Sequence, residues 1–151
     1  MRRLLAVVSV VFAVAACSGS DKATGSDEVT IADLVGSWTA SSVRYTNKAN
    51  PGEKVDLIAL GGENRVTVLE GGGARTWLEF GTFSDEWDAQ LTISGSTLTS
   101  RPVEASRSMR TWAFTLEGDV LELTDTNATF DFTLTGGVEV PATEVVVLVR
   151  R

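Results

Sequence analysis

Met109–Thr124 reads MRTWAFTLEGDVLELT, and the period of this stretch decides the fold class. Trp112, Phe114 and Leu116 recur at every second position, with Arg110 and Ala113 at the margin of that face or out of phase with it. Leu121 and Leu123 flank Glu122, and Gly118-Asp119 separates the two runs. A strand turns successive side chains to opposite faces, so a period of two marks a half-buried strand. A two-residue loop containing glycine between two such runs marks a tight hairpin. The spacing therefore predicts strands over Met109–Glu117 and Val120–Thr124, paired across the loop.

The same grammar extends in both directions. Towards the C-terminus, Phe130, Phe132 and Leu134 alternate with Thr129, Asp131 and Thr133, which predicts a strand over Thr129–Leu134. A last strand, Thr143–Arg150, follows Gly136-Gly137 and Pro141, and its Val145–Val149 run, apolar on both faces, implies cover on both sides. Towards the N-terminus, Gln90–Ser94 and Thr97–Arg101 pair across Gly95-Ser96. Arg65–Glu70 and Ala74–Gly81 pair across three glycines, with Leu78 and Phe80 opposing Trp77 and Glu79. Lys54–Leu60 and Ser37–Thr46 complete the set. Thr30 is placed to cap one short turn, Ile31–Val35, with Asp33 at its third position and Gly36 as its stop. Nine or ten short strands joined by hairpin-length loops predict an all-β domain over residues 30–151. Its simplest form is an up-and-down antiparallel β-barrel of about eight to ten strands, because closure removes exposed edges.

The first seventeen residues follow a different grammar. Arg2 and Arg3 precede an apolar run, Leu4–Ala16, that ends in Val14-Ala15-Ala16-Cys17. A charged start, an apolar middle and small residues at the end are the layout of a secretory signal, and the run is too short to span a bilayer. The cysteine after two alanines resembles the lipobox of bacterial lipoproteins. That resemblance implies removal of residues 1–16 as a signal peptide and attachment of diacylglyceryl and a further acyl chain such as palmitate to Cys17. Residues 17–29, small and polar, then form a flexible linker. With no aspartate after Cys17, the resemblance implies a protein lipid-anchored in the bacterial cell envelope, at the outer membrane and facing the periplasm. Loss of Arg2 and Arg3 takes the formal charge from −7 to −9. Such a surface repels nucleic acid and anionic lipid, leaving the anchor as the membrane contact.

Composition also narrows the chemistry. Histidine is absent and Cys17 is the only cysteine, so the chain has no disulfide, no histidine or thiolate metal site and no Ser-His or Cys-His nucleophile. No cofactor is implied, and the expectation is a protein that is not an enzyme. A hydrolase using carboxylates alone is the remaining catalytic alternative.

Leu34-Val35-Gly36-Ser37-Trp38, where the short turn enters the first strand, resembles the Gly-x-Trp opening of lipocalins and bacterial lipocalin-like domains. The resemblance covers roughly Leu34 to Arg151. It implies that Gly36 and Trp38 close one end of the barrel and that Arg150, near the end of the last strand, packs over the tryptophan. It also implies ligand binding. Phe80, Trp112, Phe114, Phe130 and Phe132 are the candidate interior set, read either as the lining of a cavity for a small apolar ligand or as a filled core, which any sheet needs. Phe83–Asp88 breaks the strand pattern with three acids and two aromatics and reads as an acidic loop, with Trp87 folded over the barrel mouth. Arg101, Arg107 and Arg110 are expected to pair with surface acids, the alternative being a cluster that meets an anionic head group. The leading expectation is a non-catalytic module that binds a small apolar molecule or an envelope component. The alternative is a protein–protein module, an inhibitor or assembly accessory, with a packed barrel.

Overall fold

The computed structural model describes residues 28–151; the expected signal peptide, Cys17 and nearly all of the linker lie outside the described residues. Within them the chain runs through one helical turn, α1 (Ile31–Leu34), then β1 (Gly36–Asn47), β2 (Lys54–Asp56) and β3 (Glu63–Val68). A single 3₁₀ turn, Glu70–Gly72, leads into β4 (Gly73–Phe80) and β5 (Phe83–Ser94). The remaining strands are β6 (Thr97–Pro102), β7 (Arg110–Glu117), β8 (Val120–Phe130) and β9 (Val140–Arg150). All pairings are antiparallel, and β9 returns to pair with β1, which closes eight strands into an up-and-down barrel. The ninth strand, β2, is an addition: it pairs with Arg44–Thr46 of β1, beyond the Gly36–Thr39 segment that pairs with β3.

Two bulges set which residues face inward. On β1 the register shifts between Ala40 and Ser42, so the buried positions pass from Trp38 and Ala40 to Val43, with Tyr45 next on that face. If the same residues ran in strict alternation, without a bulge, Ser42 and Arg44 would turn into the barrel. On β8 the shift lies between Asp125 and Ala128, and the inner face passes from Leu121 and Leu123 to Ala128. Asn127 donates its backbone N–H to Asp125 Oδ1 (2.7 Å) across this bulge.

These features correct three expectations. Val120–Thr124 and the start of Thr129–Leu134 are one strand, because the bulge carries the chain through Asp125-Thr126-Asn127, a triplet that reads as a turn. Phe132 and Leu134 consequently fall outside any strand, in the β8–β9 connection. Phe83–Asp88 is not a loop but the first half of β5: its outward Asp88 pairs with Arg75 of β4 (2.9 Å), and its inward Asp85 pairs with Arg107 (2.6 Å). Lys54–Leu60 contributes only three strand residues, since the Asp56 carboxylate accepts from the N–H groups of Ile58 and Ala59 and turns the chain. Burial raises the Asp56 pKa, but the Ser42 hydroxyl and these backbone N–H groups outweigh it and hold the carboxyl below its usual range.

Candidate functional site

The barrel has a closed end and an open end. At the closed end Trp38 is buried, 1% exposed, and donates Nε1–H to the carbonyl of Leu34 (2.8 Å). Arg150 lies over its ring, Cζ to centroid 4.3 Å, and donates to the carbonyls of Val35 and Asp33, both at 2.6 Å. These carbonyls belong to the α1 turn, whose last C=O groups have no intrahelical partner. Gly36 has a φ of 134°, and a Cβ there would come within 3.2 Å of Arg150 Nη1. The structure thus assembles Gly36, Trp38 and Arg150 at one place. Above this plug Val68, Leu91, Leu98, Phe114, Leu121 and Leu148 pack together, leaving a void of only about 70 Å³.

The open half is different. A cavity of about 420 Å³ runs inward between the loops, within the size range of small-molecule sites. Its apolar wall includes Val66, Leu78, Trp87, Trp112, Leu123 and Val146. Polar groups enter from three sides. Glu144, on the inner face of β9 with Val146 and Leu148, is 2% exposed and the one buried charged side chain among the described residues. It accepts from Tyr45 Oη (2.5 Å), Arg110 Nη2 (2.5 Å) and Trp112 Nε1 (3.2 Å). Arg110 also reaches Asp125 (3.1 Å) and lies over Trp112. Tyr45 stacks on Phe130 with centroids 4.1 Å apart. Burial, then the Glu144 charge, pushes the Tyr45 hydroxyl far above its ordinary pKa. For Arg110, burial works against the charged form, but Glu144 and its other partners, Asp125 among them, together more than offset it and raise the guanidinium pKa.

At the mouth, Arg107 bridges Asp85 (2.6 Å) and Glu104 (3.2 Å) and stands over Trp87 at 4.9 Å. The hydrogen bond from Arg107 holds the Asp85 carboxyl below its usual range. Each carboxylate of the cavity is therefore tied to a guanidinium in a fixed geometry, which suits recognition better than proton transfer.

The five candidate aromatics are dispersed. Trp112 borders the cavity. Phe114 is buried in the packed core at the closed half, because its position on β7 lies one turn of the alternation deeper than Trp112. Phe80 is at the open end of β4, against Gly62. Phe130 backs Tyr45, and Phe132 packs edge-on against Phe130 at 5.1 Å. Four of the five thus support the barrel without bordering the cavity. Trp87, read as a residue of an acidic loop, instead lines the cavity from within β5. Arg107 and Arg110 do pair with acids, but around the cavity and not on the outer surface.

Sequence reasoning passed over Tyr45 and Glu144, and took Asp85 only as one acid of the Phe83–Asp88 segment. Glu144 carried a signal: it alternates with Val146 and Leu148 in a strand that is otherwise apolar on both faces. Tyr45 carried none, since its inward direction depends on the bulge at Ser41. Compared with protein-family models, with curated proteins and with solved structures, the chain has no match.

Proposed function

We propose that this domain is a non-catalytic, lipocalin-like binding module that holds a small, largely apolar molecule in the open half of its barrel. The observation that carries the reading is the division of the interior: a plugged, packed half below and a cavity of about 420 Å³ above it, apolar in its walls with a few fixed polar groups. A packed domain would need no such space, because interiors close-pack to the density of organic crystals. On the same reading residues 1–16 are a signal peptide and Cys17 carries the lipid that anchors the module in the bacterial envelope; Arg2-Arg3, the apolar run and the Ala15-Ala16-Cys17 ending support it.

Native mass spectrometry of the protein purified from its host tests the binding reading. A mass adduct is expected in the wild type and is lost in Ser100→Phe, which places a ring into the cavity. Absence of any adduct, together with no binding of apolar fluorescent probes, counts against it. For the anchor, Cys17→Ser should leave the signal uncut or release the protein from the membrane fraction.

A second reading, docking to another envelope protein, draws on one further observation. The exposed Leu60, Phe83, Val103, Met109, Leu134 and Val138 all belong to the open end, in or beside four different loops. Apolar groups spread around one rim are a feature of interaction surfaces. Phe83→Ser with Met109→Ser removes rim contacts and leaves the cavity wall intact. Loss of function with that variant and not with Ser100→Phe would favour docking.

A further inference from the structure

The charged groups that border the cavity pair off: Asp85 with Arg107 (2.6 Å) and Glu144 with Arg110 (2.5 Å). A charged head group of either sign finds no free counter-charge there. It has to break one of these pairs or enter uncompensated, and both are costly away from water. The charges of the wall therefore favour an uncharged ligand.

One polar group of the wall is left over. Asn64 shares the inner face of β3 with Val66 and Val68 and borders the cavity. Its Oδ1 is the one buried side-chain polar atom among the described residues without a hydrogen-bond partner. Leaving a buried acceptor unpaired is costly, and most such groups in folded proteins are satisfied. The register explains why the barrel does not satisfy this one. Asn64 pairs with Leu78 of β4, and Leu78 in turn with Asp85 of β5. Leucine has no donor, and the carboxylate beyond it is an acceptor already taken by Arg107. Rotation about χ2, a broad torsion in asparagine, turns Oδ1 towards the cavity. One row deeper, Val66 and Trp87 flank Thr76, and beyond them the wall continues through Leu123 and Val146.

We propose that the cavity takes a neutral amphiphile whose uncharged donor, such as a hydroxyl, hydrogen-bonds to Asn64 Oδ1, with its apolar body along Val66, Leu123 and Val146. This rests on the reading of the open half as a binding cavity and names the ligand class for it.

The test is a set of tryptophan-fluorescence titrations of the purified protein at neutral pH, since Trp87 and Trp112 both border the cavity. The probes are dodecanol, undecyl methyl ether, dodecylammonium and dodecanoate, each below its solubility or micelle limit. The ether matches the alcohol in heavy atoms and lacks the donor. Dodecanol is expected to bind about five-fold more tightly than the ether, one neutral hydrogen bond's worth, and more tightly than either ion. Asn64→Leu removes the acceptor at similar side-chain size and should lower the alcohol-to-ether ratio by about the same factor. That comparison cancels the difference in hydration between the two probes. A ratio unchanged in Asn64→Leu overturns the placement at Asn64. An ether that binds the wild type as tightly as the alcohol overturns the donor, and an ion that does so overturns the neutral assignment; each of these leaves the cavity reading standing. No binding of any probe by a protein with an intact strand spectrum overturns both. Should Asn64→Leu not fold, the alcohol-to-ether ratio of the wild type decides.

Discussion

Glu144 concentrates the energetic tension of the fold in one side chain. Its carboxylate is buried and accepts from a phenol, a guanidinium and an indole. Breaking a buried pair costs more than forming one gains, because the partner is left without compensation. Glu144→Ala should therefore destabilise the domain by about 3 kcal/mol, and Glu144→Gln by about half as much, since the amide keeps one acceptor. Urea denaturation checks this through the midpoint at unchanged slope. Arg150 matters for a different reason. Its planar fork satisfies two carbonyls of one helical turn while covering Trp38. Arg150→Ala should cost about 2 kcal/mol, and Arg150→Lys should restore little of it, because an ammonium cannot both reach two carbonyls and stack. Thermal unfolding of the two variants side by side distinguishes lost charge from lost geometry.

Among the elements, β1 and β5 show how strands decide what a side chain can do. The bulge in β1 is one residue, yet it determines that Val43 and Tyr45 face the interior in place of Ser42 and Arg44. Deleting Ser41 should straighten β1 and leave Val43 and Tyr45 inward in the same register, so the variant should stay folded, which circular dichroism and amide dispersion would report; an unfolded deletion variant would show that the bulge does more than set the phase of β1. In β5 the acid-rich start is compatible with a strand because its charges have partners on both faces: Asp88 with Arg75 outside, Asp85 with Arg107 inside. The outer pair is solvent-exposed, where such pairs contribute little. Arg75→Ala should leave the melting temperature within replicate scatter, whereas Arg107→Ala should weaken binding in the cavity. The hairpins of β5–β6 and β7–β8 were legible from local sequence because two-residue loops and alternating runs are local signals. The length of β8 was not, because a bulge and a turn share the same Asp-Thr-Asn chemistry until the partner strand is in place.

For the whole molecule, the absence of histidine shapes the response to pH. The native state holds Asp33, Asp56, Asp85, Asp88 and Asp131 below the ordinary carboxylate range. A depressed folded pKa stabilises the protein above the unfolded value and loses that contribution as pH falls through the folded one. Tyr45 is the opposite case: its raised pKa stabilises the fold below the unfolded value of about 10 and is lost above it, as the unfolded chain ionises first. Stability should thus be level from about pH 5 to about pH 9, fall below about pH 4 and fall again above about pH 10. Chemical denaturation at a series of pH values checks the profile, and Tyr45→Phe should remove Tyr45's share of the alkaline fall.

What the sequence determined by itself is the β class and the position of most strands; the trio Gly36, Trp38 and Arg150, which meets at the closed end, was implied by a family resemblance and not by patterning. Period-two patterning and glycine turns are local properties, and they survive in any context that buries one face of a strand. Only the tertiary structure decided that the interior is half packed and half open, and that Tyr45, Asp85, Arg110 and Glu144 gather around the open half. A cavity is the space left between strands far apart in the chain, so no window of sequence contains it. The inward direction of a polar residue depends on bulges and pairing partners, and these exist only once the barrel has closed.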